Sequence, residues 1–150
     1  PNHEELVSLI GIFEYFDSLY NHHFSDHNLL ITKKIQKLNH LISEHEKNIA
    51  NPILDYISTR DDMRLIGKTK ILNKDRAPTI SFFSKFQKSE SISNKLVSEK
   101  IATRNDNFYA WRCLKDHGVN TKDGVVRLSL AHYNNLEETN KVIKALKKIS

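Results

Sequence analysis

The spacing of apolar residues changes once along this chain, near residue 61, and that change limits the fold more than any other feature of the 150 residues. Before it, the spacing is helical. Leu6, Ile10, Phe13 and Asp17, or Leu9, Phe13, Phe16 and Tyr20, recur at three- and four-residue steps and predict an amphipathic helix over about residues 3 to 20. After a polar turn, Asn21 to Asn28, a second stripe runs Ile31, Ile35, Leu38, Ile42, His45, Ile49, Ile53 and Ile57. It predicts one long helix over residues 28 to 58, kinked near Pro52, which lacks an N–H and clashes with the preceding turn. The spacing is heptad-like, but the run is short and places His45 in the seam, so packing onto a neighbouring layer is expected over a coiled coil.

Beyond residue 61 strands and short helices alternate. Met63 to Ile66 reads as a short strand, Lys68 to Ala77 as a charged loop, and Thr79 to Ser84 as a strand of alternating bulky and small polar residues opened by Pro78. A short helix to about Lys100, a strand from Ile101 to Asn107, a helix from Tyr109 to His117 capped by Gly118, and a strand from Val125 to Ala131 follow. Asn135 caps a last helix, with Glu138 in capping-box position and Leu136, Val142, Ile143, Leu146 and Ile149 on its buried side. The expected class is α+β: a small antiparallel or mixed sheet of three to four strands covered by helices and preceded by the long kinked helix. Residues 1–150 form a single small domain, with 1–60 as leading helices and 61–150 as the sheet-and-helix core.

Composition excludes several classes. With 39% hydrophobic and 27% charged residues the chain is neither disordered nor fibrous. The longest uncharged apolar runs, such as Leu6 to Phe13, fall far short of the roughly 20 residues that span a bilayer. One cysteine, Cys113, makes neither an internal disulfide nor a cysteine-rich zinc site, which points to a reducing, cytoplasmic compartment. The chain starts Pro1-Asn2-His3-Glu4-Glu5 without an initiator Met or a signal segment, as a piece of a longer product would.

The net charge of +5 invites a nucleic-acid reading, but the lysines are spread along the chain without a recognition helix or an aromatic-basic strand pattern, so solvated helix faces are expected and no nucleic acid. His22, His23 and His27 lie close with only Asp26 to support a metal; a solvated turn accounts for them, and no metal site is assigned. Cys113 reads as a small buried hydrophobe. The most pointed residue is Arg127, which shares one strand face with Val125, Ser129 and Ala131 while Val126, Leu128 and Leu130 share the other. Small flanking side chains leave room for a planar anion, which the guanidinium fork would hold through two hydrogen bonds. Periodicity alone fits equally an arginine on the exposed face of a half-buried sheet.

The order of the second half adds to this. Ala77-Pro78-Thr79-Ile80-Ser81-Phe82, then Ile101-Ala102-Thr103-Arg104 with Phe108-Tyr109-Ala110, then Gly124-Val125-Val126-Arg127-Leu128-Ser129-Leu130-Ala131-His132-Tyr133-Asn134-Asn135-Leu136-Glu137-Glu138 resembles the carboxyl-terminal domain of class V aminotransferases, and within them the cysteine desulfurase and selenocysteine lyase group. The amino end, Pro1 to Gly11, is similar to the family segment that follows a Gly-Thr pair and leaves the large domain. The resemblance implies a pyridoxal 5'-phosphate-dependent, dimeric, full-length enzyme acting on an amino acid substrate, with Arg127 binding the substrate carboxylate, Arg104 in a supporting role, and Asn107, Phe108 and Tyr109 in the active-site loop.

The same resemblance carries two departures. The catalytic cysteine of desulfurases falls, in register, on Tyr109, and Cys113 stands four residues later, so persulfide chemistry is unavailable at that position. The family's cofactor lysine lies on the large domain, and none of the 17 lysines here has the matching context, so the resemblance implies no cofactor-binding or catalytic residue in this chain and no activity for it alone. The competing reading is a non-enzymatic helical interaction module built on the long second helix.

Overall fold

The structure, a computed structural model, describes residues 2–72 and 75–149; Pro1, Asn73, Lys74 and Ser150 lie outside it, and with them the first residue of the family-like amino end and the middle of the charged loop. The described elements are α1 (His3–His23), α2 (Ile31–Ser58), β1 (Met63–Ile66), β2 (Thr79–Ser84), α3 (Ser89–Ser98), β3 (Arg104–Asp106), α4 (Trp111–Asp116), β4 (Val125–Ser129) and α5 (Leu136–Lys147). This is an α+β fold with a four-stranded antiparallel sheet in the order β1-β2-β4-β3. The chain divides into two compact units, Pro1–Glu44 and His45–Ser150.

In the first unit, Asn2 caps α1 by accepting the Glu4 N–H at 3.1 Å. The Asp26 carboxylate accepts from the buried Tyr20 hydroxyl at 2.6 Å and from Lys37 Nζ, and Lys34 Nζ lies 2.7 Å from Asp17 Oδ1. These two bonds hold the Asp26 carboxyl at a pKa of about 2, the lysine contributing more than the phenol. The predicted stripe of α1 is real as a pattern, yet Leu6, Leu9, Ile10 and Phe13 are exposed.

The second unit holds the main core. One face of the sheet presents Met63, Leu65, Ile80, Phe82, Val126 and Leu128 to Ala50, Ile53, Leu54 and Ile57 of α2, Ile92 and Leu96 of α3, and Ala145 and Leu146 of α5. Each large apolar side chain buried there contributes about 1.5–3 kcal/mol. Pro52 stands inside α2 between core residues. Near it, the buried Thr139 hydroxyl of α5 donates to the Ile49 carbonyl of α2 at 2.8 Å. The Arg60 guanidinium grips Asp62 through two hydrogen bonds of 2.6 Å and also donates to the Tyr56 hydroxyl and the Ile149 carbonyl. Asn51 clamps the loop after β1 by bonding both the N–H and the carbonyl of Ile71.

β1 and β2 have the predicted bounds, and the capping box of Asn135 and Glu138 opens α5. Other boundaries moved for local reasons. The strand predicted over Ile101–Asn107 keeps only Arg104–Asp106, because Lys100 turns left-handed (φ 59°) and the Lys100 and Ile101 N–H groups close α3 onto the Val97 and Leu96 carbonyls. The helix predicted from Tyr109 starts at Trp111, since Phe108 and Tyr109 both take positive φ; it ends as expected, with Gly118 at φ 72°. The strand predicted to Ala131 stops at Ser129, and the Ala131 N–H donates to the Asn134 side chain instead. Leu136, expected in the core, is exposed at the first position of α5, ahead of the turn where Thr139 becomes buried. Cys113, read as buried, is exposed: Leu114, roughly 100° further round α4, takes the inward position.

Candidate functional site

The second face of the sheet is built differently. Its central row is Ile66–Ser81–Arg127–Arg104, so the two arginines sit directly opposite one another on β4 and β3 and project from the same face. At one end this face is roofed by a small apolar cluster, Leu114, Val119 and Val125 with Ile66, Phe83, Phe108 and Ala110. Beside the cluster opens a cavity of about 640 Å³ lined by Thr103, Arg104, Asn105, Asp106, Phe108, Tyr109 and Arg127. Among the described residues neither Arg104 nor Arg127 has a carboxylate partner. The carboxylate of Asp106, the acid in the lining, accepts the Asn107 N–H at 2.6 Å.

The loop that closes this site is tightly specified. Asn107 accepts the Tyr109 N–H on its side chain at 3.0 Å and the Ala110 N–H on its carbonyl at 2.9 Å, so one residue holds both ends of the left-handed pair Phe108 (φ 52°) and Tyr109 (φ 60°). Two consecutive non-glycine residues in this region carry a conformational cost of order 1–3 kcal/mol each, sustained by the surrounding structure. The result places the Phe108 ring 4.0 Å from Arg127 Cζ and leaves the Tyr109 side chain almost fully exposed. Gly124 supports the turn from behind. A Cβ there would stand 2.3 Å from the Asp106 carbonyl carbon and 2.7 Å from the Asn107 nitrogen, and its φ is 72°. Its neighbour Asp123 is fixed by accepting the Ser89 N–H at the start of α3 at 3.1 Å and by the Ser89 hydroxyl on its backbone carbonyl.

All five residues singled out from the sequence, Arg104, Asn107, Phe108, Tyr109 and Arg127, thus fall in one region, with Asn107 shaping the turn and the other four lining the cavity. The sequence reading missed Thr103, whose hydroxyl donates to the Arg127 carbonyl at 2.9 Å, and Asp106. Period-two alternation from Arg104 would have put Asp106 on its face. The histidine turn separates: the rings of His22 and His23 stack edge-on at 4.8 Å, while His27 Nδ1 is 2.9 Å from the Asn21 amide oxygen. Among the described residues no cluster of metal-ligating side chains converges, and no helix is long and apolar enough to cross a membrane.

Solved structures share this arrangement of elements. The chain is similar to a cysteine desulfurase from Thermococcus onnurineus (TM-score 0.63, 20% identity, 77% of this chain and 28% of that one) and to the Escherichia coli cysteine desulfurase CsdA (TM-score 0.59, 19% identity, 71% and 24%). In sequence it is 30% identical over 109 residues to the aminotransferase-like protein FGM3 of Gibberella zeae, covering 72% of this chain and 27% of that protein. The family description "Aminotransferase class-V" matches residues 31–142. The chain belongs to the class V aminotransferase family, and it spans about a quarter of the length of the relatives it matches.

Full-length members of this family imply pyridoxal 5'-phosphate. The residues of the cavity do not fit that group: its aldehyde needs an amine, and the lining holds no lysine. What the lining does fit is an anion. Two guanidinium groups without acidic partners among the described residues, beside the Phe108 ring and the exposed Tyr109 phenol, outweigh the single acid Asp106 and make the lining net cationic and rich in hydrogen-bond donors.

Proposed function

We propose that this chain is the carboxyl-terminal small domain of a pyridoxal-phosphate-dependent, class V aminotransferase-like enzyme that acts on an amino acid. Its own contribution is to bind and orient the substrate: Arg127 takes the α-carboxylate through its guanidinium fork, Arg104 adds a second positive charge alongside, and the Asn107–Phe108–Tyr109 turn walls the site. The cofactor and its lysine belong to the remainder of a homodimeric enzyme, and the chain on its own is inactive. The observation that carries this reading is the unpaired Arg127 facing the cavity, on the strand where the family resemblance is most detailed. Tyr109 stands in place of a sulfur nucleophile, which favours chemistry at the amino acid's α or β carbon over sulfur transfer. The second reading, an interaction module that presents the stripe of the long second helix, is less favoured, because Leu38, Ile49, Ile53 and Ile57 of that stripe are buried.

The test is Arg127→Lys in the complete enzyme, assayed with the amino acid that it turns over fastest among the common ones. Replacing a bidentate charged contact by a point charge should raise KM about 10- to 100-fold, since charge-assisted hydrogen bonds are worth ~1.5–3 kcal/mol. Cofactor loading, read from its visible absorbance, should be unchanged. An unaltered KM would sink the assignment. The same absorbance measured on the isolated chain should show no lasting band, and a lasting band lost with a single lysine would overturn its inactivity.

A further inference from the structure

We infer that Phe108 is the positioning residue of the carboxylate site, holding the plane of the Arg127 guanidinium so that its donor edges stay turned to the cavity; this rests on the assignment of Arg127 above. An arginine side chain in open solvent samples many rotamers, and a bidentate contact requires one of them. Here Arg127 Cζ lies over the Phe108 ring, 4.0 Å from its centroid, a cation–π contact that restricts where the guanidinium can sit. Its N–H donors lie in the guanidinium plane and remain available, and no protein group competes for them among the described residues. The ring is delivered by the left-handed pair Phe108 and Tyr109, which the Asn107 side chain and carbonyl hold closed.

That turn is in turn set on a fixed base. Gly124 packs against the Asp106 and Asn107 backbone where no Cβ fits, and Asp123 is tied to the first turn of α3. Two strained residues maintained by three separate restraints mark a conformation the fold defends, and the most direct consequence of that conformation is the stack on Arg127. Arg104, directly opposite, is exposed and has no such cation–π contact among the described residues. A single cross-strand pair thus holds one arginine against an aromatic ring and, among the described residues, one without.

The measurement is an NMR titration of the 150-residue chain, labelled at arginine Nε, with acetate as a carboxylate without an amine. In the parent chain the Arg127 side-chain protons should be shifted upfield by the Phe108 ring, and acetate should perturb the Arg127 Nε signal. Phe108→Leu, which keeps the apolar volume, should abolish the ring shift and weaken acetate about tenfold, whereas Phe108→Tyr should preserve both. An amide spectrum confirms the fold of each variant. If Phe108→Leu loses the ring shift but binds acetate as tightly as the parent, the inference is wrong and the assignment of Arg127 stands. If acetate fails to perturb Arg127 in the parent, or binding survives Arg127→Lys, the assignment of Arg127 itself fails.

Discussion

The two faces of the β-sheet share strands, register and twist, yet they are built on opposite rules. On one face Val126 and Leu128 of β4 meet three helices and are buried in a continuous apolar core. On the other, one residue away along the same strand, Arg127 faces a cavity with no acidic partner and Ser129 is exposed. The covered face is filled to exclude water, and its residues are interchangeable in kind as long as volume is kept. On the open face two arginines have no carboxylate partner among the described residues, an arrangement that suits the anion proposed above. On the proposed function, stability and binding are divided between the two alternating faces of one strand.

Substitutions should separate the faces cleanly. Phe82→Ala, at a fully buried position of β2, removes a ring from the covered core and should cost about 3–5 kcal/mol, read as a lowered midpoint in urea unfolding. A loss below about 1 kcal/mol would mean that this face is not the core of the second unit. Next in size, Gly124→Ala forces a methyl into the Asp106 backbone at a positive φ and should cost about 2–3 kcal/mol. Unlike the core variant, it should also displace the Phe108 turn, abolishing the ring shift on Arg127. Loss of stability with that shift intact would show that Gly124 braces the strand and not the site.

How much of this was legible in the sequence follows the range of the forces involved. β1 and β2 could be bounded to the residue because alternation and the flanking Gly67 and Pro78 are local signals, and the Asn135–Glu138 box is a complete local instruction. Arg127 and its face were legible for the same reason: period two is a property of the strand alone. The turn at Asn107–Tyr109 was not. Asn107 could have been marked as a turn residue, but nothing in Asn-Phe-Tyr announces two left-handed residues, and the close approach of Gly124 to the Asp106 and Asn107 backbone comes from a segment some fifteen residues on. Lys100 makes the parallel case, since a lysine closing α3 carries none of the signal that Gly118 carries for α4. The burial of Leu136 and Cys113 was misjudged because helical period gives a stripe's direction but not where along it the core begins.

The smallest expected effect is also the most specific to the open face. Arg104 and Arg127 are directly opposite across an antiparallel pair, an arrangement of like charges that destabilises a sheet by a few tenths of a kcal/mol. Arg104→Gln, which removes the charge but keeps a hydrogen-bonding amide, should therefore raise stability by roughly 0.2–0.5 kcal/mol in low-salt buffer. The origin of the gain is checkable, because the repulsion is between partly solvated charges. In ~1 M sodium chloride, where the screening length falls to about 3 Å, parent and variant should unfold at the same denaturant concentration. The same substitution should weaken acetate binding, in the direction opposite to its effect on stability. If Arg104→Gln instead lowers stability at low salt, the arginine is a structural member of the sheet, and the division between a face that folds the protein and a face that binds for it does not hold on β3.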